Sequence, residues 1–204
     1  MKNEVLCIVA SIDDLPYLKK KWGDKICKAR KEKIERLSGE LDKQRSLLAE
    51  YVLYEALAVM MPSFKPPCRW QADSKGKLEL IDYPKLNCNL SHDGKYACVA
   101  LSDSPVGIDI AKPHPVPSRL AMKIMTPSEL EQYSNASDKQ EAFFACWTRK
   151  ESFQKLLGEG FYRPMSTFET ADKIFYEERI EDYFLCISTH GEANVIRWKI
   201  GDPA

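Results

Sequence analysis

The chain has 204 residues, 30 basic and 30 acidic side chains, and 44% hydrophobic content. That is long enough for one domain with a good core or for two small halves packed together, and the balanced charge supplies no global field to draw it to nucleic acid or a membrane. No apolar run approaches a membrane span, and the start MKNEVLCIVASIDDL has an acidic residue before its apolar run and no small-residue cleavage site, so a cytoplasmic protein is expected.

In chain order, Val5 to Ile12 reads as a buried strand. Residues 16–36 are strongly basic (Lys19, Lys20, Lys21, Lys25, Lys28, Arg30, Lys31, Lys33 and Arg36), which reads first as a solvated helix face. Asp42 is placed to cap a helix from about Lys43 to Met61, stopped by Pro62, with Leu47, Leu48, Tyr51, Val52, Leu57, Ala58 and Met61 inward. Arg45 and Ser46 fall in its first turn, where free N–H groups favour anions. Residues 62–77 read as loop and Leu78 to Ile81 as a short strand. NCNLSHDG, 87–94, reads as a polar loop, followed by strands at Tyr96–Leu101 and at VGIDI, 106–110. Prolines 113, 115 and 117 stiffen the connection to a helix started by the Thr126-Pro-Ser-Glu capping box and running to about Tyr133. A long helix over 138–157 follows, flanked by an S-x-x-Q box at Ser137 and Gln140 and ended by Gly158. The tail, Lys173–Glu177, Tyr183–Thr189 and Asn194–Ile200, reads as an antiparallel meander. The seven cysteines are odd in number, scattered and free of C-x-x-C pairs, so they read as reduced core thiols.

The stretch Phe143 to Gly160 concentrates the chemistry. Ala142, Phe143, Cys146, Phe153 and Leu157 gather on one side of its helix, and Lys150 projects into that stripe. Glu151 and Lys155 lie one turn apart along the edge, with Trp147 one turn earlier. Lys150 either snorkels to water or needs a counter-charge, and Glu151–Lys155 is either an ordinary i,i+4 pair or the lip of an anion pocket. In VGIDI, Ile108 and Ile110 face one way and Asp109 the other, a costly burial unless something pairs with it. Ser91-His92 offers a hydroxyl, an imidazole and backbone N–H together, a set that suits phosphate.

Taken in order, N-L-S-H-x-G, G-I-D-I and F-F-x-x-W-x-x-K-E-x-x-x-K resemble the motifs of the 4'-phosphopantetheinyl transferase superfamily, specifically its surfactin-synthetase-activating, single-chain pseudodimer type. The third motif is met at Trp147, Lys150, Glu151 and Lys155, the second at Gly107 and Asp109, and the Ser-His motif at Ser91 and His92. Gly76-Lys77 matches a Gly-Lys element, with Leu78 where proline is usual, and the likeness covers about residues 30–160. It implies Mg²⁺-dependent transfer of 4'-phosphopantetheine from coenzyme A to a serine of an apo acyl or peptidyl carrier protein, releasing 3',5'-ADP. On that resemblance Asp109 and Glu151 would hold the metal, while Lys155, helped by Lys150, would meet the diphosphate. Lys33, Arg45, Ser46 and His92 would grip the 3'-phosphate, with Lys77 and Ser91 on the nucleotide or its phosphates. Glu151 or a metal-bound water would take the serine proton. Many members carry a second carboxylate two residues after the aspartate; here it is Ala111, so weaker Mg²⁺ binding is expected, with water, a carbonyl or Asp93 completing the shell.

The expected architecture is α+β: two similar halves, 1–104 and 105–204, each a long helix on a small, mostly antiparallel sheet. They form a pseudodimer with the active site in the cleft, for which a monomer suffices. The carrier would dock on the basic run 19–36 or on Pro113–Met125, where Arg119 and Lys123 stand among Leu120, Met122 and Met125. A coenzyme A- or carrier-binding module weakened in catalysis is the alternative, kept open by Ala111. A nucleic-acid-binding role is disfavoured by zero net charge.

Overall fold

A computed structural model describes residues 3–158 and 163–201; the ends of the two expected halves and the Glu159-Gly160 end of the long helix stretch lie outside it. The core is set by β1 (Asn3–Ser11), which is buried on both faces. Leu6, Ile8 and Ala10 point to one side and Val5 and Cys7 to the other, which is why the strand reads as an unbroken apolar run. β1 pairs antiparallel with β5 (Tyr96–Ser102) and sits in a six-stranded sheet of order β2-β3-β4-β5-β1-β9. Its other strands are β2 (Trp70–Ala72), β3 (Leu78–Leu80), β4 (Asn87–Asp93) and β9 (Ala193–Trp198).

The outer face of that sheet is covered by α1 (Leu15–Trp22), α2 (Lys28–Glu35) and the long α3 (Glu40–Met60), with Leu48, Val52, Leu53 and Leu57 against Ile8, Val99 and Leu101. The inner face packs on a three-stranded sheet of order β6-β8-β7, formed by β6 (Val106–Ala111), β7 (Phe175–Ile180) and β8 (Tyr183–Thr189). There Cys7, Cys98 and Ala100 meet Ile108, Ile110, Leu185 and Ile187. The far side of the small sheet carries α6 (Lys139–Leu157), with α4 (Ser118–Ile124) and α5 (Pro127–Asn135) beside it. The layers therefore run helix, sheet, sheet, helix, an α+β architecture with a long helix on each outer side.

Several expectations change. The basic run is two short helices rather than one. α3 begins three residues early, at Glu40 after Gly39, because Asp42 pairs with Arg45 within the first turn instead of capping. α6 is capped by Asp138, which accepts from Glu141 N at 2.9 Å, rather than by a Ser137 box; Gly158 ends it at φ 66° as expected. NCNLSHD is a strand, not a loop. The tail is not a meander: β7 and β8 pair antiparallel, but β9 crosses to pair parallel with β1 of the larger sheet. All seven cysteines are free thiols.

Candidate active site

Gly107 decides how closely α6 approaches the small sheet. Residues 107, 109 and 111 of β6 face the helix, and a Cβ at 107 would lie 1.9 Å from the Ser152 carbonyl oxygen and 2.5 Å from Leu156 N. Only glycine permits that contact. Ser152 seals the seam by a 2.7 Å bond to the Ser188 hydroxyl on β8. The helix backbone then lies directly over β6, and Glu151 and Lys155 flank Asp109.

β6 has one edge paired with β8; the other is met by side chains of β4. Asn89 Oδ1 accepts from Ile108 N (2.9 Å), Ser91 Oγ from Ile110 N (3.4 Å) and Asp93 Oδ2 from Lys112 N (2.7 Å). Three alternate β4 residues thus stand in for a neighbouring backbone. This explains the polar alternation of NCNLSHD and answers the donors an open strand edge would otherwise bury.

Asp109 is 6% exposed. Its Oδ1 accepts from Ser91 Oγ at 2.8 Å and from Lys155 Nζ at 2.7 Å, while Oδ2 is buried without a hydrogen-bond partner. Lys155 also donates to Ser91 Oγ and the Ile108 carbonyl, both at 3.1 Å. Desolvation works against the Lys155 ammonium, but the Asp109 carboxylate outweighs it and its pKa is raised. Glu151, 8% exposed, is pushed up to about 7 by burial and then by the charge of Asp109, with Lys155 pulling the other way. Two carboxylates converging on shared space, one with an orphaned buried oxygen, suit a hard divalent cation that takes one or two carboxylates and fills its shell with water and phosphate oxygen. Asp93 adds little, since Gly94 N and Lys112 N occupy its two oxygens, and Ala111 adds nothing; among the described residues no cluster of three or more His, Cys, Asp or Glu could hold a metal.

Glu151 and Lys155 form a wall between two cavities. One, of about 500 Å³, is lined by Ser91, His92 and Asp109 on its polar side and by Leu120, Phe144 and Trp147 on its apolar side. The other, of about 210 Å³, is lined by Lys75, Gly76, Lys77, Asn89 and Gln154. Lys77 reaches the C-terminal end of α6, donating to the Leu156 carbonyl at 3.2 Å. His92 keeps solvent contact at the mouth of the larger cavity; desolvation of its ring and the charges of Arg45, Lys155 and Arg30 hold its pKa below the ordinary imidazole value. Arg45 Nε is buried with no hydrogen-bond partner, and Ser46 is buried one residue on.

Asp109, Glu151, Lys155, Ser91 and His92 therefore meet in one place, with Lys77 in the adjoining cavity and Arg45 beside His92. Lys33 does not join them: it is exposed in the last turn of α2; Arg30, Arg45 and Ser46 line neither cavity either, but the charges of Arg30 and Arg45 reach His92 and Arg30 donates to the Ser46 carbonyl. Lys150 does not join them either. It is 0% exposed, and its three donors reach Glu129 Oε2 (2.7 Å) and the carbonyls of Met165 (2.8 Å) and Phe168 (2.7 Å). Its counter-charge is a protein carboxylate on α5, which leaves no donor for a ligand. Asn89, Gln154 and Arg30 are the neighbours that sequence reading passed over or left peripheral. The alternation of Asn89, Ser91 and Asp93 was the signal for the first.

Residues 105–202 match the family described as the 4'-phosphopantetheinyl transferase superfamily. The chain is 31% identical over 144 residues to 4'-phosphopantetheinyl transferase Sfp of Bacillus subtilis (strain 168), covering 68% of this chain and 63% of that protein. It is 32% identical over 136 residues to 4'-phosphopantetheinyl transferase psf-1 of Bacillus pumilus, covering 66% and 58%. The chain thus spans less than two thirds of the length of these relatives. Among solved structures, a holo-[acyl-carrier-protein] synthase of Thermotoga maritima overlaps 41% of this chain and 60% of its own at 20% identity and a TM-score of 0.35, too slight a likeness to argue from.

Proposed function

We propose an activity from one premise, that the chain belongs to the 4'-phosphopantetheinyl transferase superfamily: it transfers 4'-phosphopantetheine from coenzyme A to a serine of an apo acyl or peptidyl carrier protein and releases 3',5'-ADP. The observation that carries this reading is the buried, unpartnered Asp109 Oδ2 beside Glu151, on a cavity that Lys155 also lines; Lys155 would have to exchange its Ser91 or Ile108 contact to meet an anion. Asp109 and Glu151 would hold Mg²⁺, which supplies Lewis-acid neutralisation of the donor's diphosphate, worth several kcal/mol. Lys155 offsets charge on the leaving 3',5'-ADP. Glu151 or a metal-bound water would accept the proton of the carrier serine as the serine oxygen bonds to the pantetheine phosphorus and the bond from that phosphorus to the ADP oxygen breaks. Arg30, Arg45, Ser46 and His92 face the 3'-phosphate, and Lys77 and Ser91 serve the nucleotide side. The apolar wall of the larger cavity suits the pantetheine arm.

The two helix-backed sheets would be the halves of a single-chain pseudodimer, divided near residue 104 except that β9 returns to the first sheet, sufficient as a monomer in the cytoplasm. No described helix is long and apolar enough to cross a membrane. The carrier would dock over α4, where Arg119 and Lys123 are exposed and Met122 is 62% exposed beside the mouth of the larger cavity. Reversing the charges of Arg119 and Lys123 should raise the carrier KM and leave the coenzyme A KM alone.

The decisive assay mixes the protein with coenzyme A, Mg²⁺ and an apo-carrier and weighs the carrier by intact mass spectrometry. A gain of one phosphopantetheine unit is expected. Binding of coenzyme A or carrier with no mass gain would replace the enzyme by a binding module, the reading that Ala111 favours.

A further inference from the structure

Glu50 lies in the middle of α3 and is 0% exposed. A carboxylate so placed is expensive unless it is paired. Its Oε2 accepts from Trp70 Nε1 on β2 at 3.0 Å and lies 3.2 Å from Arg30 Nε on α2. Trp70 also carries the Arg30 guanidinium on its ring face, 4.9 Å from the centroid. Arg30 Nη2 donates to the Ser46 carbonyl at 3.0 Å. The side chain of Arg30 is 10% exposed, and Nη1 has no partner among the described residues. The guanidinium is therefore held on its Nε side by charge alone, since Nε lies 3.2 Å from the Glu50 carboxylate without a hydrogen bond to it; it is stacked on one face and left with free donors on the remaining edge, near enough to His92 for its charge to bear on the imidazole.

A rigid fork of this kind is suited to a planar, bidentate grip on a phosphomonoester. The value of such a grip depends on holding the fork still before the ligand arrives. We infer that Glu50 is a positioning residue: with Trp70 it fixes the free edge of Arg30 for the 3'-phosphate of the donor and so sets discrimination between coenzyme A and its 3'-dephospho form. The inference rests on coenzyme A being the donor. The competing role is plain adhesion, in which Glu50 and Arg30 only hold α2 to α3.

Calorimetric binding of coenzyme A and 3'-dephospho-coenzyme A separates the two. The wild type should prefer coenzyme A by about tenfold or more, the scale of charge-assisted bonds to a phosphate. Glu50→Gln keeps the shape and an acceptor for Trp70 but removes the charge facing Arg30. It should weaken coenzyme A by about fivefold and leave the dephospho form unchanged, the scale of one close ion pair. Arg30→Ala should remove the preference, and adding Glu50→Gln to it should cost no more preference, because Glu50 acts only through Arg30. Equal weakening of both ligands, or no change in either, overturns the inference. Should Glu50→Gln fail to fold, Trp70→Phe keeps a ring, removes the donor that orients Glu50, and must lower the same ratio. A wild type that binds both ligands equally defeats the 3'-phosphate assignment and this inference alone; one that binds neither defeats the functional reading itself.

Discussion

Two lysines on α6, Lys150 and Lys155, each meet an aspartate or glutamate at 2.7 Å, and they do opposite work. Lys150 is sealed. All three of its donors are taken, and its partner Glu129 is in turn bound by Thr126 N at 2.9 Å and by the Thr170 hydroxyl at 2.9 Å. Although burial opposes it, Lys150 and these bonds hold the Glu129 carboxyl below the usual range. Nothing is left for a ligand, so the pair can only hold α5, α6 and the 165–170 segment together. Lys155 also has its three donors engaged, by Asp109, Ser91 and the Ile108 carbonyl, but its side chain is 27% exposed on a cavity, one oxygen of its partner carboxylate is orphaned, and the charge of that carboxylate acts on a second one, Glu151. An ion pair's surroundings, not its length, separate a structural link from a site.

The sharpest test of that contrast is Glu151→Gln. Transfer should fall roughly a thousandfold or more, the several kcal/mol expected from a lost metal and base contact, with the melting temperature unchanged or higher. The sign follows from the raised carboxyl: its burial weighs on the fold as pH rises from the ordinary carboxylate value through about 7, and an amide lacks that burden. Lys150→Met should do the reverse. It strands the Glu129 charge, costing about 3–5 kcal/mol, while turnover per folded molecule stays within a few-fold. Adding Glu129→Leu should restore most of the loss in a thermal melt. If Lys150→Met instead spares the melt and abolishes coenzyme A binding, the contrast collapses.

Ala111→Glu tests the open side of the site. It adds a carboxylate on the face of β6 that carries Asp109, and should lower the Mg²⁺ concentration for half-maximal activity, and for binding by Mn²⁺ titration, by about tenfold. An unchanged titration refutes the idea that the shell is short of a protein ligand. The smallest effect concerns His92, one of only three histidines and so resolvable by NMR. Its depressed pKa means that the folded state resists its protonation. The stability it leaves intact is present above the usual imidazole range and is lost as pH falls toward the lowered value. Adding 3',5'-ADP should raise that pKa, because a bound phosphate reverses the local charge; no movement would remove His92 from the anion site.

The sequence was most readable where the cause is local. β6, the Thr126 capping box, the Gly158 helix end and the 147–155 spacing each depend on residues within a turn or two, and the structure bears them out. It was least readable where the cause lies far along the chain. Asn89, Ser91 and Asp93 look like loop residues until β6 appears beside them with open donors. Lys150 has the same sequence setting whether its counter-charge is a ligand or a carboxylate 21 positions earlier, and only the fold supplies Glu129. Lys33 falls where the resembling family places a basic, phosphate-facing residue, but the α2 cation held beside Ser46 is Arg30, one turn before it.

The crossing of β9 has one more consequence. By running alongside β1, residues 193–198 stitch the last segment of the chain into the first sheet, and Arg197 fastens the stitch through Glu178 at 2.7 Å and the Cys7 carbonyl at 3.1 Å. A fragment ending at residue 104 would bare the margin of β1 along that length, an adhesive seam that invites self-association. Splitting the molecule between its two sheets would thus yield sticky pieces rather than independent modules, and the two sheets should melt in a single step.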